Sequence, residues 1–538
     1  MSKKPFPIIG IGASAGGLEP LEKFFESVRP DSGFAFVVIQ HLAPNHKSLM
    51  DELLARHTSI PIKVIENGLV IKSNHIYLNP PKNFVELKGK KFVLNAKEDR
   101  KLSFPISTFF ESLARHMQEK AAGVVLSGTG SDGSEGIKFI KEKGGFVLAQ
   151  DPDTAKFNGM PKNAIHTGAV DKVCGIAQMS DELTRFFKVN PLEEWAPENS
   201  SDQKEDLEQI LLSINRQIGI DFSEYKYSTL YRRVSRRIGI LGFEKLSEYQ
   251  NYLDNTKGEA HLLSKELLIG VTRFFRDEDA FDVIRKKVIP KLIEENSETK
   301  SIRVWVPACS TGEEAYTIAI LFKDHLRKLM LQYDVKIFAT DLDQEAIKLA
   351  TQRIFPQSIA NEIPTEYLTT YFIPQRDGFR VAKEIREMIV FSHHNIIQDP
   401  PFSKIDFLSC RNFLIYLTPP IQQRLFHMFQ YALRKNGVLF LGSSESLGEM
   451  SNDFFELDQR QKIFVNKENK KLVQLRSDKD WQNPKQQRQA EPRKDYDGNS
   501  YAERFAENRS RRTLTGIQDY LIQEFVPDTV VFTEKFEL

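Results

Sequence analysis

Short apolar runs alternate with amphipathic stretches along most of the chain. From residue 6 to about 175 the runs FPIIGIG, FAFVVIQ, AGVVLSG and GGFVLAQ are separated by segments with helical spacing. Continuous apolar runs of this length predict strands buried on both faces, so the alternation predicts a parallel sheet covered by helices. Between Leu207 and about Ile293 the spacing is helical and no run reads as a good strand. Strand–helix alternation resumes with RVWVPACS and continues through VKIFATD, KIDFLSCRN and GVLFLGSS to about residue 466. The predicted fold class is α/β, with two doubly wound α/β domains at 1–190 and 286–466 and a small all-α domain at 207–285. The polar, acidic stretch PLEEWAPENSSDQKED (191–206) predicts a linker. Residues 467–512 are charged, rich in Gln and poor in aliphatics, which predicts disorder. The last stretch, 513–538, predicts a helix and then a strand, the opening of a further domain of which only the start is expected here.

Composition narrows the class. A chain of 538 residues holds three or four domains at roughly 100–200 residues each. A net charge of +1 gives no general attraction to nucleic acid or membrane. The cysteines Cys174, Cys309 and Cys410 are far apart and predict neither a disulfide framework nor a zinc ribbon. MSKKPFP runs straight into a strand, without a signal peptide, and no apolar run reaches the ~18–20 residues of a membrane span. A cytoplasmic location is expected.

The stretch GIGASAGGLEPLEKF (10–24) follows the first strand and reads as a glycine-rich turn into a helix. Two chemistries fit it. Gly10-Ile-Gly12-Ala-Ser-Ala15 matches G-x-G-x-x-A, close to the dinucleotide fingerprint, which also expects an acid about 20 residues on to hold a ribose. Here the second strand ends in Gln40-His41, which counts against a dinucleotide. It favours a nucleophile. Ser14 follows strand one, His41 follows strand two, and Asp132 follows AAGVVL in the loop SGTGSDGSEG. Three strand ends thus bring a hydroxyl, an imidazole and a carboxylate to one sheet edge, the set that ester hydrolysis needs. Free N–H groups at Gly16-Gly17 or in the loop Gly128–Gly133 are candidate oxyanion donors. Each residue also has a plain structural reading, as helix cap, strand-end imidazole and turn-former.

These segments, IGASAGGLEPL, VIQHLAPNH, LSGTGSDGSEGI and QDPDTAKFNGMPKNAIHTGAVD, resemble the catalytic domain of the chemotaxis protein-glutamate methylesterases, the CheB type. The resemblance covers about residues 6–175. It implies Ser14 as nucleophile, His41 as base and Asp132 as its orienter, acting on glutamate methyl esters, with glutamine deamidation as a further family activity. Ala15 stands where many members carry Thr, and the chain begins at the esterase strand rather than with the receiver domain usual in that family.

The second α/β unit has a different chemistry. In RVWVPACSTGEEAYTIAI the small residues Ala308–Gly312 let backbone approach a ligand. Glu313 and Glu314 suit the helix dipole but would repel a phosphate, and VKIFATD ends in Asp341, placed to hold ribose hydroxyls. A nucleoside without phosphate fits, and S-adenosylmethionine, with its sulfonium and ammonium, fits better than a dinucleotide. The plain alternative is that the two glutamates support the helix and Asp341 caps the next one. His393-His394 is no metal pair, because neighbours on a strand point to opposite faces.

LIGVTRFFRDEDAF, VPACSTGEEAYTIA, ATDLDQEAI, HHNI and IDFLSCRNFLIYLT resemble the chemotaxis receptor methyltransferases, the CheR type, over about residues 207–466. By matching position, the resemblance implies that Thr272, Arg276, Glu313, Asp341, Asn395, Ile396, Asn412 and Phe413 contact the methyl donor. Gly270 stands where the family often has Asn. Arg276 is also a candidate for holding the acceptor carboxylate. In YRRVSRRIGI, Arg232 and Arg236, and Arg233 and Arg237, are spaced i, i+4 on a helix. They form a basic stripe read as docking to an acidic partner helix on a methyl-accepting receptor, against a solvated face or nucleic acid. The stretch 370–395 alternates like inserted β-hairpins, and YLIQEFVPDTVVF resembles the opening of a PAS-like sensor. The expected whole is a bifunctional enzyme that methylates and demethylates receptor glutamates with S-adenosylmethionine as donor. Its rivals are a scaffold with decayed sites and a methyltransferase acting on another substrate.

Overall fold

The structure, a computed structural model, describes residues 6–41, 49–96, 104–189, 201–268, 270–375 and 378–468. All of them fall in one compact unit. The predicted segments 467–512 (beyond Glu468) and 513–538 lie outside the described residues.

The first domain runs β1 (Ile8–Ala13), α1 (Leu18–Ser27), β2 (Ala35–Gln40), α2 (Met50–Leu54), β3 (Ile62–Val64) and β4 (His75–Leu78). A hairpin of β5 (Asn83–Lys88) and β6 (Lys91–Ala96) leads to α3 (Pro105–Met117), β7 (Ala121–Val125) and α4 (Ser134–Glu142). β8 (Phe146–Gln150), α5 (Gly159–His166), β9 (Lys172–Cys174) and α6 (Ile176–Val189) complete it. The seven-stranded sheet has the order β3-β4-β2-β1-β7-β8-β9, with every pairing parallel. One face is closed by Phe109, Phe110 and Ile137 of α3 and α4, the other by Phe24, Phe25 and Leu183 of α1 and α6. Strand order reverses at β1, which lies between β2 and β7, and such reversals open a crevice at the carboxyl edge. Gly10 and Gly12 serve packing. A Cβ on Gly12 would lie 2.5 Å from Ile106 Cγ2 and one on Gly10 2.8 Å from Phe110, so glycine lets α3 settle onto β1.

α7 (Ser201–Ile218), α8 (Tyr227–Leu241), α9 (Leu246–Asn255) and α10 (Glu259–Leu268) form the all-α domain. α7 begins inside the predicted linker, because SDQKED has polar helix formers that need no buried face. The next core also starts before the predicted boundary at 286. Phe274, Phe275 and Phe281 pack with Ile284, Val288 and Ile289 against the second sheet. The helical path α11 (Glu278–Val283), a π turn at Ile284–Val288, and α12 (Ile289–Glu295) therefore belongs to that sheet.

The second sheet is built from β10 (Ser301–Pro307), α13 (Glu313–Lys328), β11 (Asp334–Asp341) and α14 (Gln344–Gln352). β12 (Ile354–Pro356), α15 (Thr365–Tyr371), β13 (Phe372–Gln375), β14 (Gly378–Val381) and α16 (Lys383–Arg386) follow. β15 (Ile389–His393), β16 (Ile405–Cys410), α17 (Pro419–Ala432), β17 (Leu433–Leu441), β18 (Phe454–Asp458) and β19 (Ile463–Asn466) close the fold. The order is β15-β11-β10-β16-β17-β19-β18, with β19 antiparallel to its neighbours. The predicted hairpin insert is only partly an insert. β12, β13 and β14 form a small antiparallel sheet, but β15 pairs parallel with β11 as an edge strand of the main sheet. No helix among the described residues is long and apolar enough to cross a membrane.

Candidate active sites

Ser14, His41 and Asp132 meet at the crevice beside β1. His41 Nδ1 lies 3.1 Å from Ser14 Oγ, and His41 Nε2 lies 3.0 Å from Asp132 Oδ2. The imidazole thus bridges hydroxyl and carboxylate, with the proton on the Asp132 side when Nδ1 is the free base. Asp132 is buried and accepts N–H bonds from Ile106 (2.9 Å), Ser107 (2.9 Å) and Gly133 (2.8 Å). Ile106 and Ser107 open α3, so the carboxylate sits at that helix's positive end. These three fixed donors orient the carboxylate and leave one lone-pair direction for His41.

Ser14 is held by its backbone. Its N–H donates to Ser127 O at 3.0 Å, and Gly17 N–H donates to Ser14 O at 2.9 Å. Ser127 Oγ donates to Ala15 O at 3.1 Å. A Cβ on Gly128 would lie 2.9 Å from Ser14 Cβ and 2.1 Å from Met160 Sδ, so this glycine makes room for the serine. Some of the expected oxyanion donors are already engaged. The N–H groups of Gly17, Gly128 and Gly133 are already bonded to Ser14 O, Phe157 O and the side chains of Asp132 and Ser107. The N–H groups of Ala15 and Gly16, which follow Ser14 in the turn, find no acceptor among the described residues.

The second site is an open cleft at the carboxyl edge of β10, β11 and β16. Seven of the eight residues expected to touch a methyl donor line it: Thr272, Arg276, Asp341, Asn395, Ile396, Asn412 and Phe413. Glu313 does not. Its buried carboxylate accepts from Thr311 Oγ1 at 2.6 Å, and burial pushes it above the ordinary glutamate value. Of the two adjacent glutamates of α13, the one on the cleft wall is Glu314, which accepts from Ser409 Oγ (2.6 Å) and Arg411 (3.0 Å). Successive helix residues point about 100° apart, so an adjacent pair of glutamates cannot both face the cleft.

Backbone shape follows the ligand wall. Ala308, Ser310 and Asn412 all adopt positive φ (52°, 50° and 59°), sparsely populated for residues with a Cβ. Asp341 accepts N–H bonds from Ser310 (2.7 Å) and Asp343 (2.8 Å), and burial raises its carboxyl above the ordinary value. Glu445, not foreseen from sequence, fixes the opposite wall by accepting from the N–H groups of Phe413 (2.9 Å), Leu414 (2.8 Å) and Gly442 (2.6 Å). Gly270 approaches closely, with its carbonyl accepting from Ser310 Oγ at 2.8 Å. Two arginines reach the cleft, but Arg411 is paired with Glu314 and Asp277. Carboxylates of Glu142, Glu314, Asp341 and Asp343 outnumber the remaining cation, Arg276. This donor set fits a cationic nucleoside such as S-adenosylmethionine and opposes a phosphate.

The expected basic stripe on α8 is not a free surface. Arg233 and Arg236 are buried and Arg237 makes a bidentate bond to Glu259 (2.9 and 2.8 Å). Arg233 and Arg236 instead reach the first domain, as described below. Tyr416 and Glu142 also line the cleft. Tyr416 closes the CRNFLIY segment and is local to that motif. Glu142 comes from the first domain, so no local pattern could place it.

Comparison with known proteins agrees with this division. Residues 9–183 match the CheB methylesterase family, 205–268 the all-alpha domain of CheR methyltransferases, and 270–463 their SAM binding domain. An uncharacterized 104.1 kDa protein of Rhodobacter capsulatus is 37% identical over 437 residues, 77% of this chain and 46% of that protein. The chain therefore spans under half the length of that relative. A chemotaxis protein methyltransferase of Borreliella burgdorferi is 32% identical over 257 residues, 46% of this chain and 90% of that protein. The Thermotoga maritima CheB methylesterase catalytic domain is 26% identical, covering 34% of this chain and 98% of that one, at a TM-score of 0.32.

Proposed function

The chain belongs to the chemotaxis protein methyltransferases over residues 205–463 and to the CheB methylesterases over residues 9–183, and from that premise we propose that it both adds methyl groups to glutamate side chains of chemoreceptor-like proteins and removes them. The observation that carries the reading is the presence, in one chain, of a serine–histidine–aspartate relay and of an acidic nucleoside cleft that keeps one arginine free of its own motif's acids.

In the hydrolytic half, His41 Nδ1 takes the proton as Ser14 Oγ attacks the ester carbonyl. The Ala15 and Gly16 N–H groups receive the oxyanion, and Asp132 stabilises the imidazolium. His41 returns the proton to the departing methanol. It then takes a proton from the water that releases the glutamate carboxylate and restores Ser14.

In the transfer half, the bound donor supplies a methyl group on a sulfonium. Asp341 would accept from the donor's ribose hydroxyls. Thr272, Asn395, Ile396, Asn412 and Phe413 line the remaining wall, and Arg276 orients the acceptor carboxylate. Transfer joins opposite charges and needs no proton movement, so positioning is the protein's main contribution. Two titrations test the reading. S-adenosylhomocysteine should bind the wild type and lose affinity in Asp341→Ala. Methanol release from a methylated receptor fragment should vanish in Ser14→Ala. Binding that ignores Asp341, or hydrolysis that survives loss of Ser14, would contradict it.

A further inference from the structure

One face of α4 packs on the methyl-transfer half. Lys138 pairs with Glu135 of its own helix (2.9 Å) and reaches Glu362 (3.7 Å), and Phe139 lies under the Arg273 guanidinium at 5.1 Å. Glu142, seven residues or about two turns beyond Glu135, enters the cleft. Its Oε1 accepts from Arg276 at 3.2 Å and from Lys143 at 3.1 Å, and its side chain is 10% exposed. Thus the arginine that would hold an acceptor carboxylate already holds one, on a glutamate side chain, supplied by the esterase domain.

The contact is anchored from α8. Arg233 donates to the carbonyls of Glu142 (2.8 Å) and Lys141 (3.4 Å), which satisfies the carboxyl end of α4 with a cation, the charge its dipole favours. Arg236, 1% exposed, donates twice to Gly145 O (3.1 and 2.9 Å) and pairs with Asp171 of the esterase domain and Glu266 of α10. Gly145 and Asp171 immediately precede β8 and β9, so the docked edge is the amino edge of the parallel sheet. Ser14 and His41 sit at the opposite, carboxyl edge, where His41 remains 34% exposed.

We infer that Glu142 is an internal stand-in for the acceptor glutamate: with α4 docked on α8 the esterase domain fills the acceptor subsite beside Arg276, so methyl transfer to another protein requires this edge to lift away while ester hydrolysis does not. The inference rests on reading the cleft as a glutamate methyl-transfer site. It gives the chain a resting state in which only one of two opposing reactions is open. A receptor fragment then sees only the undocked fraction of the enzyme, and its apparent affinity falls by that fraction.

The test compares the full chain as wild type, Glu142→Ala and Arg236→Met. It measures initial methyl transfer from S-adenosylmethionine to a receptor cytoplasmic fragment, donor affinity, methyl-ester hydrolysis, hydrogen exchange over 139–146 and 271–277, and the mass of the peptide carrying residue 142. Glu142→Ala should raise kcat/KM for the fragment about tenfold or more, as a buried charged hydrogen bond no longer competes. Ester hydrolysis should stay within about twofold of wild type, inside the scatter expected for residues outside the esterase site, and donor affinity is measured so that any change in it can be separated from the acceptor effect. Arg236→Met should raise transfer likewise and speed exchange over 139–146. Equal transfer rates and equal exchange in all three would overturn the inference and leave the receptor reading standing. If exchange changes as expected but no variant methylates any fragment, the occlusion stands and the receptor reading fails. A methyl group found on Glu142 of the wild type would make it a true acceptor and overturn its role as a stand-in.

Discussion

Replacing Asp132 with Asn separates the chemistry of the relay from its shape. The carboxylate Oδ2 faces His41 and the Ile106 N–H, while Oδ1 takes the N–H groups of Ser107 and Gly133. Asparagine has one acceptor oxygen and one NH2 donor. With its oxygen at the Oδ1 position it keeps Ser107 and Gly133, opposes Ile106, and donates to His41 Nε2. The imidazole must then carry its proton on Nδ1, facing Ser14, where it cannot act as base. The opposite orientation keeps the productive tautomer but sets the NH2 against two N–H groups rather than one. An extra unsatisfied donor costs about 1–3 kcal/mol. Because Gly133 N–H retains Ser107 Oγ at 2.9 Å, the low end applies. About 1 kcal/mol places roughly five molecules in the wrong tautomer for each in the right one. Loss of the charge facing the imidazolium removes a further ~1.5–3 kcal/mol, about ten- to a hundredfold. The product is a fall of about 10²–10³ in kcat, below the ~10⁴ that this exchange costs in serine-protease relays. The assay is methanol release from a methylated receptor fragment, with S-adenosylhomocysteine affinity as the control for folding. A mutant with unchanged S-adenosylhomocysteine affinity and kcat within about threefold of wild type would refute the assignment of Asp132 and the tautomer argument with it.

Gly128→Ala should cut ester hydrolysis by about a hundredfold through displacement of Ser14, the effect expected of an ångström-scale shift, without altering donor binding. The Asp341 carboxyl, raised by burial, must be ionised to accept from two hydroxyls, so donor affinity should hold at neutral pH and fall with acidification at a higher pH than an ordinary aspartate's 3.8 would give; calorimetry across pH checks this. Burial pushes Glu266 up, but Arg236, Lys141 and Arg233 together hold it down at about 2 against an ordinary 4.5. Its folded value is depressed, so its stabilisation of about 3 kcal/mol is complete above pH 4.5 and drains away as pH falls toward 2. Glu266→Gln should flatten that part of the denaturation curve, and an unchanged slope would count against the pairing. Glu445→Gln replaces a carboxylate that takes three N–H groups and should loosen Phe413 and Leu414, lowering donor affinity about tenfold while leaving hydrolysis intact.

Both sheets were legible because buried parallel strands leave continuous apolar runs, and their carboxyl edges locate the sites by rule. Ser14, His41 and Asp132 each end or follow a strand, so topology alone brings them together. Boundaries were less legible. The polar start of α7 carries no apolar stripe, and Phe274–Phe281 read as helix whichever core receives them. The two adjacent glutamates of α13 differ only in azimuth, which spacing does not resolve to one residue. The glycines of β1 resembled a phosphate turn but pack against α3, since both uses require the same missing side chain. Arg233 and Arg236 read as a surface stripe because Glu142, the partner of Arg233, and Gly145 and Asp171, partners of Arg236, lie more than sixty residues away in another domain. Glu142 was hidden for the same reason.

The central claim is that one chain places and removes methyl groups on the same class of side chain. Methyl-labelled S-adenosylmethionine, supplied with the full protein and a receptor cytoplasmic fragment, tests it in a single time course, following base-labile label on the fragment and label escaping as methanol. Label should accumulate on the fragment with Ser14→Ala and turn over to methanol with the wild type. If the donor binds but neither protein ever places label on the fragment, the account is contradicted.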